Sequence, residues 1–295
     1  MAHVGSSGAL TKLASHKEVL KLGRVVQSEG RLPELAYANA LDAVAKLTSI
    51  ARAFRVQRIL VAATSALRDA ENGRDFCSDV ERRFGVEVEL MSGDEEGRVV
   101  YRGARSAFPG VSGRVGVVDI GGGSVEVCLG EGPTCDYVAS LPLGFLKLSS
   151  KLDWSRPDAE QELKRTVLAE SAELREQLRR QPRDLRIFSG GTSRAVGKLV
   201  LSGPAGISAS ALRRVSGEIA ASSADELRAR GVDTQRADML GYGASVLSAL
   251  VDAFDVTSLR ISPRGLREGL LLREFSRVTP DFRSSPLSSS VFLPG

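Results

Sequence analysis

The chain has 295 residues, of which 42% are hydrophobic and 26% charged, and its formal net charge is +4. That length suits two domains of ordinary size, and mild basicity fits either plain solubility or attraction of an anionic substrate, without pointing to nucleic acid. No run of about 18 apolar residues marks a membrane span, and the first residues lack a signal peptide's apolar stretch, so no leader is expected.

In chain order, residues 9–23 read as extended, with a turn at Gly23. Leu35, Ala38, Leu41, Val44, Leu47, Ile50, Ala51 and Phe54 recur at helical spacing, which predicts a helix over 33–54. The apolar run 58–63 reads as a buried parallel strand, 74–84 as a helix and 86–91 as a strand. Ser92 then opens a helix, with Glu95 at capping-box spacing. The stretch 109–114, rich in Pro, Gly and Ser, is the expected domain boundary. Residues 115–130 read as a hairpin bent at Gly121–Gly123. A polar helix is expected over 156–181, then a strand, a Gly190–Gly191 turn and a helix. Further helices are expected over 208–230 and 235–254. A last strand and turn precede a closing helix from about Arg264. The Ser/Pro-rich tail from 279 reads as poorly ordered. With aromatics at 5%, the core must rest on Ala, Val, Leu and Ile, which suits helices layered on a mostly parallel sheet.

Cys77, Cys128 and Cys135 show no regular spacing, so neither a disulfide framework nor a zinc site is expected, and a reducing cytoplasm is the expected compartment. With His3 and His16 as the only histidines, catalysis must draw on carboxylates, arginines, hydroxyls and backbone amides. Four segments carry such groups. In Asp119-Ile-Gly-Gly-Gly-Ser124-Val-Glu126, three glycines let successive amides form an anion nest. Asp119 ends the strand at that bend, where it can hold a divalent cation, and Ser124 and Glu126 share one face of the return strand. Thr64, Ser65 and Arg68 follow a buried strand directly, where α/β ligand sites sit, and Arg68 can clamp phosphate. In Ser92-Gly-Asp94-Glu95-Glu96 the acids either complement the helix dipole or supply a water-activating carboxylate. Gly190, Gly191 and Thr192 form a strand–turn–helix junction whose amides can meet phosphate.

The segments ATSALRDAENG, MSGDEEGRVVYRG, VVDIGGGSVEVCLGEG, FSGGTSRAVGKL and LREGLLL, in this order, resemble the exopolyphosphatase / guanosine pentaphosphate phosphohydrolase family of the acetate kinase–sugar kinase–actin superfamily. The resemblance spans about residues 9–275 and is to the short, two-domain members. It implies an α/β fold of two actin-like (ribonuclease H-like) domains with a cleft between them. The first would take in 1–110 with a returning helix at 264–278, the second 111–263. It implies release of terminal phosphate from polyphosphate or guanosine pentaphosphate, with these or the tetraphosphate as ligands, Mg²⁺ as cofactor and a homodimer as a further expectation. By motif, Glu96 matches the general base, with Glu95 the adjacent alternative. Arg68 matches a phosphate-binding arginine, and Asp119 and Glu126 the acids linked to Mg²⁺. Gly121, Gly122, Gly123 and Ser124 match a phosphate loop, and Gly190, Gly191 and Thr192 a later turn near the substrate. Competing expectations are a non-catalytic module that binds polyphosphate or alarmone and, with less support, an ATP-dependent kinase of the same superfamily.

The family's opening I-D-x-G-[ST]-N-S loop does not occur here. Either His3-Val4-Gly5-Ser6-Ser7 is a decayed copy, or Met1–Val4 is a strand end and Gly5–Gly8 a hairpin turn; the second reading is favoured. On either, residues 1–295 are expected to hydrolyse polyphosphate weakly or not at all. The check is phosphate release compared with a version extended upstream through that loop.

Overall fold

The computed structural model describes residues 1–6, 8–179, 185–200 and 206–278. A hairpin, β1 (Ala2–Val4) and β2 (Leu10–Lys12), precedes α1 (Leu22–Glu29) and α2 (Glu34–Ala53). Then come β3 (Val61–Ala63), α3 (Ser65–Asp69), α4 (Gly73–Phe84), β4 (Val88–Leu90) and α5 (Gly93–Arg105). The meander β5 (Arg114–Ile120), β6 (Val125–Glu131) and β7 (Thr134–Leu141) leads into α6 (Phe145–Lys151), α7 (Ala159–Glu170) and α8 (Ala172–Arg179). Next are β8 (Leu185–Ser189), α9 (Gly190–Leu199), β9 (Ile207–Ser208), α10 (Ala209–Ala221) and α11 (Ala224–Ala229). The last described elements are α12 (Thr234–Ala253), β10 (Ser258–Ile261) and α13 (Leu266–Val278).

The largest sheet has the order β7-β6-β5-β8-β10-β9. Its centre is parallel where β5 meets β8 and β8 meets β10. The meander side and the β9 edge are antiparallel. β3 and β4 form a separate parallel pair, and β1 and β2 an antiparallel one. In β5, Val115, Val117, Val118 and Ile120 are all buried, so both faces of that strand need cover. One face takes Val100, Tyr101 and Ala104 of α5 against Val115, Val117, Cys128 and Ile187. The other takes apolar side chains from α7, α9, α10 and α12. A smaller core joins α1, α2 and α4 through Val26, Leu41, Phe76 and Val80. Val99 on α5 packs with Met91 and Leu270, linking the β3–β4 side to α13.

The expected α5 start is present in full. The Ser92 hydroxyl accepts from the Glu95 amide, and the Glu95 carboxylate accepts from the Ser92 amide. Such a cap stabilises a helix start by about 1 kcal/mol. The N-terminal hairpin pairs Ala2 with Lys12 and Val4 with Leu10, which supports the strand-and-turn reading of this segment over a phosphate loop at His3. Other expectations need correction. Gly23 lies inside α1, not at a turn. The strand expected at 58–63 is regular only from Val61. The helix expected over 156–181 is two helices: α7 stops at Ser171, whose hydroxyl and amide both bond the Val167 carbonyl. The helix expected over 208–230 also divides, because a second capping box, Ser223 with Glu226, starts α11 afresh. Residues 134–151, unassigned from sequence, form β7 and α6. The tail from 279 lies outside the described residues. Among the described residues no helix is long and apolar enough to cross a membrane.

α5 and α13 cross closely at glycine. A Cβ on Gly269 would lie 1.9 Å from the Val99 carbonyl oxygen. Gly269→Ala must therefore push α13 off α5, the helix that carries Glu96. We expect a loss of about 1–3 kcal/mol in stability, read as a lower denaturant midpoint. An unchanged midpoint would show the crossing to be slack.

Candidate active site

The four segments singled out in the sequence all follow strand C-termini. α3 starts right after β3, and α5 after β4. The glycine bend follows β5, and α9 follows β8. Because β3 and β4 run parallel, and β5 and β8 run parallel with Asp119 beside Ser189, the turns of each pair open at the same end of their sheet. This is the usual ligand side of an open α/β sheet.

Arg68 and Glu96 meet across α3 and α5. The Arg68 Nη1 donates to Glu96 Oε2 at 3.3 Å and to the Met91 carbonyl at 2.7 Å. Glu96 is buried. Burial raises its pKa above the ordinary carboxylate value; Arg68 pulls it back, while the charges of Asp119 and Asp69 push it further up. Glu95, one helix position earlier, points elsewhere. It is exposed, its carboxylate is bonded by the Ser92 amide and hydroxyl, each at 2.8 Å, and these bonds lower its pKa. The structure gives Glu95 the work of a cap and does not bring it to the cluster.

Glu126 lies opposite Asp119 in the β5–β6 register and is only 1% exposed. The Ser140 hydroxyl donates to its Oε1 at 3.0 Å, while its Oε2 has no hydrogen-bond partner among the described residues. Burial first, and then the Glu96 charge, pushes its pKa from 4.5 to about 8; the Ser124 and Ser140 hydroxyls act the other way. Asp119 keeps some accessible surface, but protein atoms crowd its carboxylate, and that desolvation raises its pKa. The Ser189 hydroxyl donates to it, and Arg194 lies near enough to lower it. Three carboxylates therefore share one poorly solvated region, and carboxylate oxygens are the hard donors that suit a hard divalent cation.

The bend is closed by the Gly121 amide on the Ser124 carbonyl at 3.0 Å and braced by the start of α6, where the Leu146 amide donates to the Gly122 carbonyl at 2.8 Å. It touches α3 directly: a Cβ on Gly123 would lie 1.8 Å from Ser65 Oγ. Thr64 caps α3 through its backbone only, its carbonyl accepting from Leu67 and Arg68. At the fourth turn Gly190 has φ +92°, a conformation that favours glycine, and a Cβ there would meet the Ile120 carbonyl at 2.5 Å. Gly191 lies under the Arg236 guanidinium. Thr192 is buried, with its side chain against Gly243 of α12.

The structure thus brings Arg68, Glu96, Ser65, Gly123, Glu126 and Asp119 together. It adds groups that sequence reasoning missed. Arg236 lies over Gly191, and Arg194 feels the charges of Arg236 and Arg267; burial lowers the Arg194 pKa, and the Asp119 charge offsets part of that. Arg194 stood inside the SGGTSR segment, four residues beyond Gly190, and helical spacing could have drawn it out. Arg236 and Ser140 carry no local signal.

The Glu126 shift sets a stability test. An acid whose folded pKa is raised binds more protons folded than unfolded, so its contribution is fully favourable below about 4.5 and is lost as pH rises through about 8. With chelator present, Glu126→Gln is expected to be more stable than the parent at pH 8, on the order of 2 kcal/mol or more, with the gap closing toward pH 5. Unfolding midpoints across that range measure it, and parallel curves would contradict the burial of this charge.

Comparisons with known proteins bear on the family and the fold. Exopolyphosphatase 1 of Mycobacterium tuberculosis is 31% identical over 288 residues, covering 92% of this chain and 83% of that protein. The guanosine-5'-triphosphate,3'-diphosphate pyrophosphatase of Photobacterium profundum is 26% identical, over 96% of this chain and 58% of that protein. The crystal structure of the Aquifex aeolicus member of the Ppx/GppA protein family superposes with a TM-score of 0.76 at 27% identity, covering 94% of this chain and 93% of that one. The actin-like α/β class expected from the resemblance holds. The family model described as the Ppx/GppA phosphatase family matches residues 2–278, and this chain belongs to that family.

Proposed function

We propose that this protein is a phosphohydrolase that releases the terminal phosphate of inorganic polyphosphate or guanosine pentaphosphate by attack of water. The observation that carries the reading is the 3.3 Å pair of Arg68 and buried Glu96, set among turns that open at strand C-termini. Phosphoryl transfer asks for placed cations, placed amides and a base for water, and it needs little else. Arg68 and the amides of the 121–124 bend would hold the terminal phosphoryl group. Glu96 would orient water and take its proton, and its raised pKa makes it a better base than a solvent-exposed carboxylate. The names of the relatives above support both substrates.

The donor set also fits Mg²⁺. Among the described residues no three His, Cys, Asp or Glu side chains stand close enough to cage a metal unaided. Mg²⁺ commonly takes one or two carboxylates and completes its shell with water and phosphate. Asp119 and Glu126, the latter with an unpartnered Oε2, would hold it. When bound, the ion would offset negative charge on the phosphate oxygens. We assign residues 1–110 with 264–278 to one lobe and 111–263 to the other, so that this cluster lies between lobes.

Glu96→Gln keeps the hydrogen-bonding shape and removes the base. Phosphate-release assays on long-chain polyphosphate and guanosine pentaphosphate are expected to show kcat reduced roughly 100-fold or more with KM little changed. Near-parent turnover would remove Glu96 from this role.

A further inference from the structure

Resting on the phosphohydrolase reading, we propose that Lys147 is a phosphate-binding residue of this site, held by Asp69 in place of the substrate anion. Lys147 is the third residue of α6, and its backbone is tied to the glycine bend. The amides of Leu146 and Lys147 both point at the Gly122 carbonyl, at 2.8 and 3.4 Å. Its ammonium Nζ lies 2.7 Å from Asp69 Oδ2, with the two side chains only 21% and 27% exposed. The same Oδ2 accepts from the Ser65 hydroxyl at 3.3 Å, and Ser65 is the residue pressed against Gly123. Two donors from opposite sides of the junction, a hydroxyl and an ammonium, thus converge on one carboxylate oxygen.

A carboxylate oxygen that accepts from a hydroxyl and a lysine does what a phosphate oxygen would do there. The contact between Ser65 and Gly123 leaves no room for a phosphoryl group between the two turns, so admitting one requires Ser65 and the bend to part. When they part, Lys147 remains with the bend and Asp69 with α3. The lysine then exchanges one anion for another, and most of its desolvation has already been met by the existing pair. Asp69 on this account competes with the substrate. An ordinary cross-element salt bridge makes a different prediction, because loss of either partner would then loosen the same structure.

The test is binding of inorganic tripolyphosphate by calorimetry to the full chain and to Lys147→Gln, Lys147→Arg, Asp69→Asn and the double variant. Lys147→Gln is expected to weaken binding about tenfold or more, the size of one charge-assisted hydrogen bond, and Lys147→Arg to restore it to within about threefold. Asp69→Asn is expected to tighten binding severalfold, and that gain is expected to vanish when Lys147 is already Gln. Thermal melts of each variant separate misfolding from lost contact, and Lys147→Arg keeps the test decisive if Lys147→Gln melts early. Weakening by both Asp69→Asn and Lys147→Gln overturns the proposal and leaves a structural ion pair. Phosphate release from polyphosphate and guanosine pentaphosphate is measured alongside. A parent chain that binds tripolyphosphate, when neither it nor a version extended upstream through the I-D-x-G-[ST]-N-S loop releases phosphate, overturns the hydrolase reading alone, and the binding series still judges Lys147. A parent chain that does not bind overturns both.

Discussion

The burial of Glu96, Glu126 and Asp119 in one region is the constraint around which the rest of the molecule is arranged. Like charges removed from water repel strongly, and each carboxylate also loses hydration. The structure offsets this in part. Arg68 lies on Glu96, Ser140 donates to Glu126, and Ser189 donates to Asp119 with Arg194 nearby. The offset is incomplete, since one Glu126 oxygen has no partner among the described residues and all three carboxyls have raised pKa values. A site left short of positive charge is one that, on the function proposed above, a polyanion carrying Mg²⁺ would complete. The geometry therefore stores in the protein the electrostatic work that a neutral, fully paired site would have to supply on binding.

That constraint explains why α5 is built as it is. The helix must deliver Glu96 into the cluster while packing on two surfaces at once. Its capping box consumes Glu95, fixes the first turn and leaves Glu96, about 100° further round, to face inward. Val100, Tyr101 and Ala104 then seat the helix on the six-stranded sheet, and Val99 seats it beside Met91 and Leu270. Gly97 lets it sit close to β7 and β6: a Cβ there would lie 2.7 Å from Val138 of β7 and 3.1 Å from the Cys128 sulfur of β6. The distance between Glu96 and Glu126 is thus set by core packing, whose side chains are far stiffer than a loop.

Much of this was legible because local chemistry and global role coincide at the turns. Ser92 and Glu95 spelled a cap, the glycines after Asp119 spelled a bend, and the Gly190–Gly191 pair spelled a strand–helix junction; each of these depends only on neighbours in sequence. Strand order was not legible. Nothing near β5 says that β8, some seventy residues on, will lie beside it, and that pairing places Ser189 on Asp119. Which of Glu95 and Glu96 faces the cluster follows likewise from which one the cap consumes. Arg236 and Ser140 were invisible for the same reason as the strand order, since each reaches the site through packing of a distant element. Helix breaks at Ser171 and Ser222 were missed because apolar spacing ran on through them, although Ser223 and Glu226 carried the same capping signal that was read at Ser92.

The two sides of the junction differ in how they are held. The bend at Gly121–Gly123 belongs to the six-stranded sheet and is braced by α6, while Ser65 and Arg68 hang from the short β3–β4 pair. Three polar contacts join them: Ser65 against the bend, Lys147 with Asp69, and Arg68 with Glu96 on α5; beside these, Leu146 of α6 sits against Gly23 of α1. Polar contacts of this kind can be exchanged for contacts to a polyanion at little net cost, whereas an apolar seam would have to be pulled apart into water. The apolar packing between α5 and α13, through Val99 and Leu270, joins two elements of the lobe proposed to carry Arg68, so those helices can stay together while the polar contacts exchange. On the function proposed above, a polar and exchangeable set of contacts is what would let a chain of phosphates reach Glu96 without disturbing the packing that holds that carboxylate.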